Sequence, residues 1–453
     1  MTATSLASAD VVAPRLRRLD LSATDLASIA DRAALTRRNA VPDESIRAGA
    51  RAILDDVRIR GAIAVAEANR RFGGAAADGR LVIEPATLRA ARDRLSPDDR
   101  RALDQAIDHV RRFAETQRPA TTRTTVAPGI EIERRWRPLR RVGCYVPGGS
   151  APYPSSLVMT VVPARVAGVD AIVVATPADG RGAIHPVLLG AASLLEVDAV
   201  LVAGGAQAIG AMAFGLEDLG DGGVFERVDR IVGPGSAWVT SAKLEVAAVV
   251  GIDLPAGPSE GMVVADDGAD PALVAADLVT QAEHGPDSPA ILVTTSRDLA
   301  DAVEREIAIL LPRLDRADIL ARALSAHGRV VLAPDLESAI AFVDAYAPEH
   351  LSIDVRDADA TADRIRNAGS IFVGPWAPES AGDYATGANH VLPTGGLARA
   401  CDPLGVEAFG RYTQVQRLDE RGLATIRETV ERLATVEGLT AHGHAVASRF
   451  RAQ

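Results

Sequence analysis

A chain of 453 residues with 47% hydrophobic and 24% charged residues is long enough for more than one core and too apolar for wholesale disorder. A net charge of −11 and a pI near 5.3 argue against nucleic acid and anionic membrane as partners. The 2 cysteines, Cys144 and Cys401, exclude a disulfide framework and an all-thiolate metal site, so any metal must use nitrogen and oxygen ligands.

Residues 1–21 carry no apolar leader core, and the apolar stretch 157–175 is interrupted by Arg165 and Asp170. A cytoplasmic protein without a membrane span is expected. The pairs Arg37-Arg38, Arg70-Arg71 and Arg140-Arg141 read as solvated faces. Asp43 opens a periodic helical segment over 43–72, and Ser96-Pro97-Asp98-Asp99 caps a helix whose stripe runs over 102–113. Between 121 and 136, β-forming residues flank Ala127-Pro128-Gly129, which predicts a hairpin.

From Arg141 the pattern becomes short apolar runs ending in glycine turns. Strands are expected at 142–146, 171–176, 199–203 and 230–232, with helices at 156–167, 185–196, 206–214 and 237–249. Such alternation predicts βαβ units on a largely parallel sheet. In open parallel sheets, phosphates are bound beyond the carboxyl ends of strands, where helix N-termini and free N–H groups lie. Pro147-Gly148-Gly149, Gly204-Gly205-Ala206-Gln207 and Gly233-Pro234-Gly235-Ser236 lie there. None is a complete dinucleotide fingerprint, since Trp238 stands where a third glycine belongs, and tight turns alone would also explain them. Lys243 is the sole lysine, with nothing in its sequence surroundings to activate it as a Schiff base.

A second α/β region begins near Gly261, with strands expected at 261–265, 290–294, 329–332, 351–355 and 370–373. Asp270-Pro271-Ala272 and His284-Gly285-Pro286 bound a helix with Leu273, Val274 and Leu278 as its buried stripe. Gln281 and His284, three apart, continue that stripe and could point two ligating groups inward; a histidine satisfied by helix carbonyls is the alternative. In Ala347-Pro348-Glu349-His350 a carboxylate and an imidazole could serve two proton transfers, though a surface acid beside a histidine is equally ordinary. The polar stretch 374–396, with Glu379, Asp383, Asn389 and His390, reads as a long functional loop. Beyond Leu404 the chain reads as helical and polar, ending with Glu437, His442 and His444. These His/acid clusters suit one zinc ion held by N and O ligands.

Together, Gly204-Gly205-Ala206-Gln207-Ala208, Gly257-Pro258-Ser259-Glu260, Gln281-Ala282-Glu283-His284, Ala347-Pro348-Glu349-His350-Leu351, Phe372-Val373-Gly374-Pro375, Gly382-Asp383-Tyr384 and 389–396 resemble the histidinol dehydrogenase family. The likeness runs in order from about Arg141 to the end. It implies two Rossmann-like parallel-sheet domains with helical N- and C-terminal extensions, in an intertwined homodimer with shared active sites. The boundaries expected are 1–40 for an N-terminal helical extension, 141–258 for the NAD-binding domain, 41–140 with 259–404 for a larger zinc-bearing domain, and 405–453 for a helical arm reaching the partner.

The resemblance further implies zinc held by Gln281, His284, Asp383 and His442, the last from the partner subunit. Glu349 and His350 would be the catalytic pair, with His350 also touching substrate. Ser259, Gln281, His284, Asp383, His390, Glu437 and His442 would bind the small-molecule substrate, and Tyr145, Gln207 and Ser236 the NAD. The implied reaction oxidises L-histidinol through bound L-histidinaldehyde to L-histidine with two NAD, in histidine biosynthesis. His350 would serve the alcohol step and Glu349 the water that adds to the aldehyde. The sequence departs from the family at Ser236, where Asn is usual, and at Trp238 and Trp376, where tyrosines are usual. A paralogue acting on another small polar alcohol is therefore the alternative. From other classes, a zinc hydrolase leaves the glycine-turn region unexplained, and a zinc-stabilised assembly module leaves Glu349-His350 unexplained. No base neighbours either cysteine in sequence, so covalent thiolate catalysis is not expected.

Overall fold

The computed structural model describes residues 15–38, 40–148, 151–219 and 223–450. The first 14 residues of the expected N-terminal extension, Gly149 of the first glycine turn and residues 451–453 of the arm lie outside the described residues.

In chain order the first elements are β1 (Arg17–Asp20), α1 (Leu26–Thr36), α2 (Glu44–Arg60), α3 (Ala62–Phe72), β2 (Val82–Ile83), α4 (Pro85–Arg92) and α5 (Pro97–Glu115). A hairpin follows, β3 (Thr122–Ala127) and β4 (Ile130–Pro138). Next come β5 (Arg141–Tyr145), α6 (Pro154–Ala167), β6 (Ala171–Thr176), α7 (Pro186–Leu194), β7 (Ala199–Val202), α8 (Gly205–Phe214), β8 (Arg230–Val232), α9 (Ala237–Val246) and β9 (Gly251–Ile252). The second region holds β10 (Gly261–Ala265), α10 (Pro271–Glu283), β11 (Ala290–Thr294), α11 (Arg297–Leu310), α12 (Ala317–His327), β12 (Arg329–Leu332), α13 (Leu336–Tyr346), β13 (His350–Asp354), α14 (Ala358–Ala362), β14 (Ser370–Val373) and α15 (Glu379–Tyr384). The chain ends with β15 (Gly410–Leu418), α16 (Glu420–Val436) and α17 (Thr440–Ala447).

Two six-stranded sheets organise the molecule. The first runs β2-β7-β6-β5-β8-β9, parallel except for the short antiparallel edge strand β2. The second runs β1-β12-β11-β10-β13-β14 and is parallel throughout. Their central strands are continuous apolar runs because helices cover both faces; β10 and β11 are buried at every residue. Helices α6 and α8 are buried almost all round for the same reason, so they lack the one-sided stripe of a surface helix.

Several expectations change. Residues 43–72 form two helices, because Gly61 adopts φ +55 and ends α2, a left-handed conformation that costs glycine no Cβ clash. Residues 41–140, expected with the second sheet, pack on the first: Leu54, Val57 and Val65 share a core with Tyr145 and Ile209, while Leu103 and Ile107 pack with Leu157. The N-terminal extension is not only helical, since β1 supplies an edge strand of the second sheet. The C-terminal region is not only helical either: β15 pairs with β4 along its whole length in a three-stranded antiparallel sheet. Leu273, expected in the buried stripe of α10, is exposed, whereas Val274 and Leu278 are buried. Arg38 is not a solvated arginine: it is largely covered, paired with buried Glu260 and stacked on the Tyr346 ring at 3.4 Å. Arg141 is likewise largely covered, while its neighbour Arg140 is exposed.

Candidate active site

The first half of the site sits where the first sheet's strands end. Tyr145 closes β5, and Gly204-Gly205 leads from β7 into α8, with Gly205 at φ +59. A residue with a side chain would be strained at that φ, and glycine also lets the main chain approach a ligand closely. The Gly205 N–H donates to the Tyr145 hydroxyl at 3.1 Å, which ties the two strand ends together. A cleft of about 790 Å³ opens there, and Tyr145, Gly148, Gly205, Gln207 and Ser236 all line it, with Trp238 on its wall. A volume of that order accommodates a dinucleotide-sized ligand.

The second half is built at the amino ends of two neighbouring interior strands of the second sheet. Gly261 of β10 registers with His350 of β13, so Ser259-Glu260 and Glu349-His350 lie side by side at the amino ends of two neighbouring strands. The Ser259 hydroxyl and the Glu260 N–H both donate to Glu349 Oε2, at 2.7 and 2.9 Å. The His350 N–H donates in turn to the Glu260 carbonyl at 3.2 Å. Glu260 itself is fixed by Arg38 and accepts from the Gly395 N–H at 3.2 Å, so the start of β10 is tied to residues 394–396. The Thr394 hydroxyl oxygen accepts the Gly257 N–H at 2.6 Å and closes the same junction.

Around His350 the polar groups converge. Its Nδ1 lies 3.6 Å from Glu349 Oε2 and 3.6 Å from Glu379 Oε1, and its Nε2 lies 3.9 Å from Asp383 Oδ1. His284, at the C-terminal cap of α10, places Nε2 3.6 Å from Glu379 and 3.9 Å from Asp383. His390 holds Nδ1 3.0 Å from the Asp383 carbonyl and Nε2 3.4 Å from the Ser156 hydroxyl of α6. Asn389 donates to the Met159 carbonyl at 2.7 Å, a second tie to α6 and therefore to the first sheet. One ligand atom each from His284, Glu379 and Asp383 falls within 4.8 Å of the others. Gln281, also buried on α10, has neither amide atom hydrogen-bonded among the described residues, and Glu379 Oε1 and His350 Nδ1 are likewise buried without a partner. Buried polar atoms left unpaired cost free energy, so this group of orphans points to a ligand.

Burial sets the protonation states. Desolvation holds the Glu349 carboxyl well above the usual carboxylate range, opposed by the donors Glu260 N–H and Ser259 and reinforced by the charges of Glu260 and Glu379. The same cause lowers His350 to about 3, with His284 and His390 adding like-charge repulsion. His390 is lowered to about 4, again chiefly by burial. Both imidazoles are therefore neutral near pH 7, the form that accepts a proton. Burial also pushes the Cys144 thiol up to about 12, which leaves no thiolate.

Most of the expected site residues meet here: Ser259, His284, Glu349, His350, Asp383 and His390 lie around one centre, Gln281 packs beside Gly261 on the strand next to His350, and Tyr145, Gln207 and Ser236 lie around the cleft. Glu437 and His442 do not join them within this chain. Glu437 caps α16, and His442 is exposed on α17, which packs back on α16. Glu379 shows in sequence only as part of a polar stretch, and the structure makes it a buried member of the cluster. The stretch 374–396 is also not featureless, because α15 runs through it and carries Glu379 and Asp383 on one side. Glu260 has a signal in its place after Ser259; Arg38, half of an arginine pair that reads as solvated, has none.

Comparison with known proteins points to one family. The family model for histidinol dehydrogenase matches residues 36–450. Histidinol dehydrogenase of Mycolicibacterium smegmatis is 44% identical over 446 residues, covering 96% of this chain and 98% of that one. The protein of the same name from Methanosarcina barkeri is 43% identical over 399 residues, covering 88% and 90%. A crystal structure of histidinol dehydrogenase from Elizabethkingia anophelis superimposes with a TM-score of 0.87 at 34% identity, covering 96% of this chain and 98% of that one.

Proposed function

This chain belongs to the histidinol dehydrogenase family, NAD-dependent oxidoreductases of histidine biosynthesis, and from that premise we propose how its own residues oxidise L-histidinol through bound L-histidinaldehyde to L-histidine. The observation that carries the reading is the convergence of Glu349, His350, Glu379 and Asp383 on one buried centre, which His390 links to α6 of the half of the molecule whose strand ends carry the dinucleotide-sized cleft.

His350, neutral and desolvated, takes the hydroxyl proton in the first oxidation. Ser259 and the Glu260 N–H hold one oxygen of Glu349, which leaves the other free to take a proton from the water that adds to the aldehyde. His390, anchored on the Asp383 carbonyl, orients the substrate imidazole. The buried wall around these groups keeps the aldehyde from bulk water and side reactions. NAD fits the cleft lined by Tyr145, Gln207 and Ser236, and it supplies the hydride acceptor. Ser236 has a shorter polar side chain than the Asn usual there and still lines the cleft.

A divalent metal fits the second half. The donors are nitrogen and oxygen only, and the unpartnered Gln281 side chain packs beside Gly261, which registers with His350. Gln281, His284 and Asp383 would hold zinc, with His442 from a second copy. Bound there, zinc supplies a fixed positive point that orients the substrate's amine and imidazole. The second copy is supported by the exposed apolar side chains Leu433, Val436 and Leu439, which sit on the segment carrying Glu437 and His442.

The test is a stoichiometry. Purified protein with zinc, NAD and L-histidinol should form NADH and histidine in the ratio of about two to one required by a four-electron oxidation. NADH formation from another small polar alcohol with none from histidinol would reject the substrate assignment.

A further inference from the structure

We propose that Asn69 is a positioning residue that fixes the polarity of the Gln207 amide, so that the dinucleotide cleft is met there by an oxygen acceptor and not by an N–H donor. The proposal rests on the reading of Gln207 as a cofactor contact and deepens it.

A chain of donors and acceptors starts here from an atom whose role cannot change. The backbone carbonyl of Val202, the last residue of β7, can only accept. Asn69 of α3 is buried, and its amide lies 2.8 Å from that carbonyl, so the end facing Val202 must be the NH2 group, Nδ2. The other end is then the oxygen Oδ1, and it faces the Gln207 amide at 3.1 Å. Only an N–H can satisfy it, so the Gln207 end turned toward Asn69 is Nε2. Gln207 Oε1 is what remains, and it lies beside Gly205, 3.0 Å from where a side chain on that glycine would begin. Asn69, Gly205, Gln207 and Tyr145 all line the cleft.

Turning the Gln207 amide over would set oxygen against oxygen in a place closed to water. An unsatisfied buried pair of this kind disfavours the flipped form by on the order of tenfold or more. The cleft therefore presents an acceptor to its ligand. That oxygen receives a ribose hydroxyl or a carboxamide N–H, and it repels a phosphate placed at the same point. The device also explains why a polar residue stands four positions after Val65 on the buried stripe of α3.

The experiment measures NAD affinity and steady-state kinetics for wild type, Q207A, N69A, the N69A/Q207A double variant and N69D, with melting curves for each. Q207A and N69A should each raise the KM for NAD about three- to tenfold, the loss of one net hydrogen bond, with kcat and histidinol KM little changed. The double variant should be no worse than the worse single one, because both changes remove one relay. N69D, which keeps the acceptor toward Gln207 but opposes Val202 with oxygen, should weaken NAD binding as N69A does. An unchanged KM in Q207A would overturn the cofactor reading of Gln207. A normal response to Q207A with an unchanged NAD KM in N69A and N69D, or with additive losses in the double variant, would overturn the role of Asn69. Should N69A fail to fold, N69D and Q207A carry the same comparison.

Discussion

Glu349 and His350 are neighbours in sequence, yet burial moves their proton affinities in opposite directions, and this assigns their pH behaviour. His350, lowered to about 3, is already in its basic form across the working range and adds no limb near neutrality. Glu349 is held well above the usual carboxylate range, so its basic form is present only above that raised value. Histidine formation from the aldehyde should therefore rise with pH through the Glu349 titration, and Glu349→Gln should abolish that limb. Glu349→Gln should also lose acid formation by about a hundredfold or more, while aldehyde reduction run in reverse loses far less. Equal losses in the two directions would remove the water-activating role. Cys144→Ala should keep its turnover, because a thiol buried beside β6 with no thiolate form has no nucleophilic part to play; an inactive but folded variant would sink the non-covalent scheme.

At the level of the elements, what could be read from sequence follows from how one-sided each element is. α10 was legible from its cap, its proline and its glycine stop, because Asp270 does accept from the Ala272 N–H and Pro271 does begin the helix. α15 was not legible: its buried residues are Glu379, Gly382 and Asp383, so its inner face is polar and breaks the apolar pattern that marks a helix. The sequence of β15 reads as helix-like for a related reason. It lies at the edge of an antiparallel sheet, largely exposed, and its polar Gln and Arg residues mask the alternation. α10 also carries a stability prediction. Burial, with Asp354 adding repulsion, raises Asp277 to about 6 from 3.8. The folded state then holds a proton that the unfolded state has released, so stability falls as pH rises from about 4 to about 6. Asp277→Asn should raise the melting temperature at neutral pH and leave it unchanged below about pH 4, which melting curves at the two pH values would show. A gain of equal size at both would disprove the titration.

Across the whole molecule the two sheets are used at opposite edges. The cleft follows the rule that ligands sit beyond the carboxyl ends of parallel strands, whereas Glu349 and His350 stand at the amino end of β13 and the two halves are joined through α6. That juxtaposition could not be read from either half alone, since it depends on α6 and residues 389–396 bridging them. The remaining residues, Glu437 and His442, lie on α16 and α17, where only Gly422 and Ala434 of the long helix are buried and Leu433 and Val436 are 55% and 66% exposed. If a second copy covers that face, each centre needs one chain's His284 and the other chain's His442. Then His284→Ala and His442→Ala should each lose zinc and activity when purified alone. Coexpressed, they should pair at random, and each mixed dimer should hold one centre with both histidines intact. About half of the dimers are mixed, so activity and bound zinc should return to about a quarter of the wild-type value. A site complete within one chain would give no recovery at all, because every chain in the mixture lacks one of the two histidines.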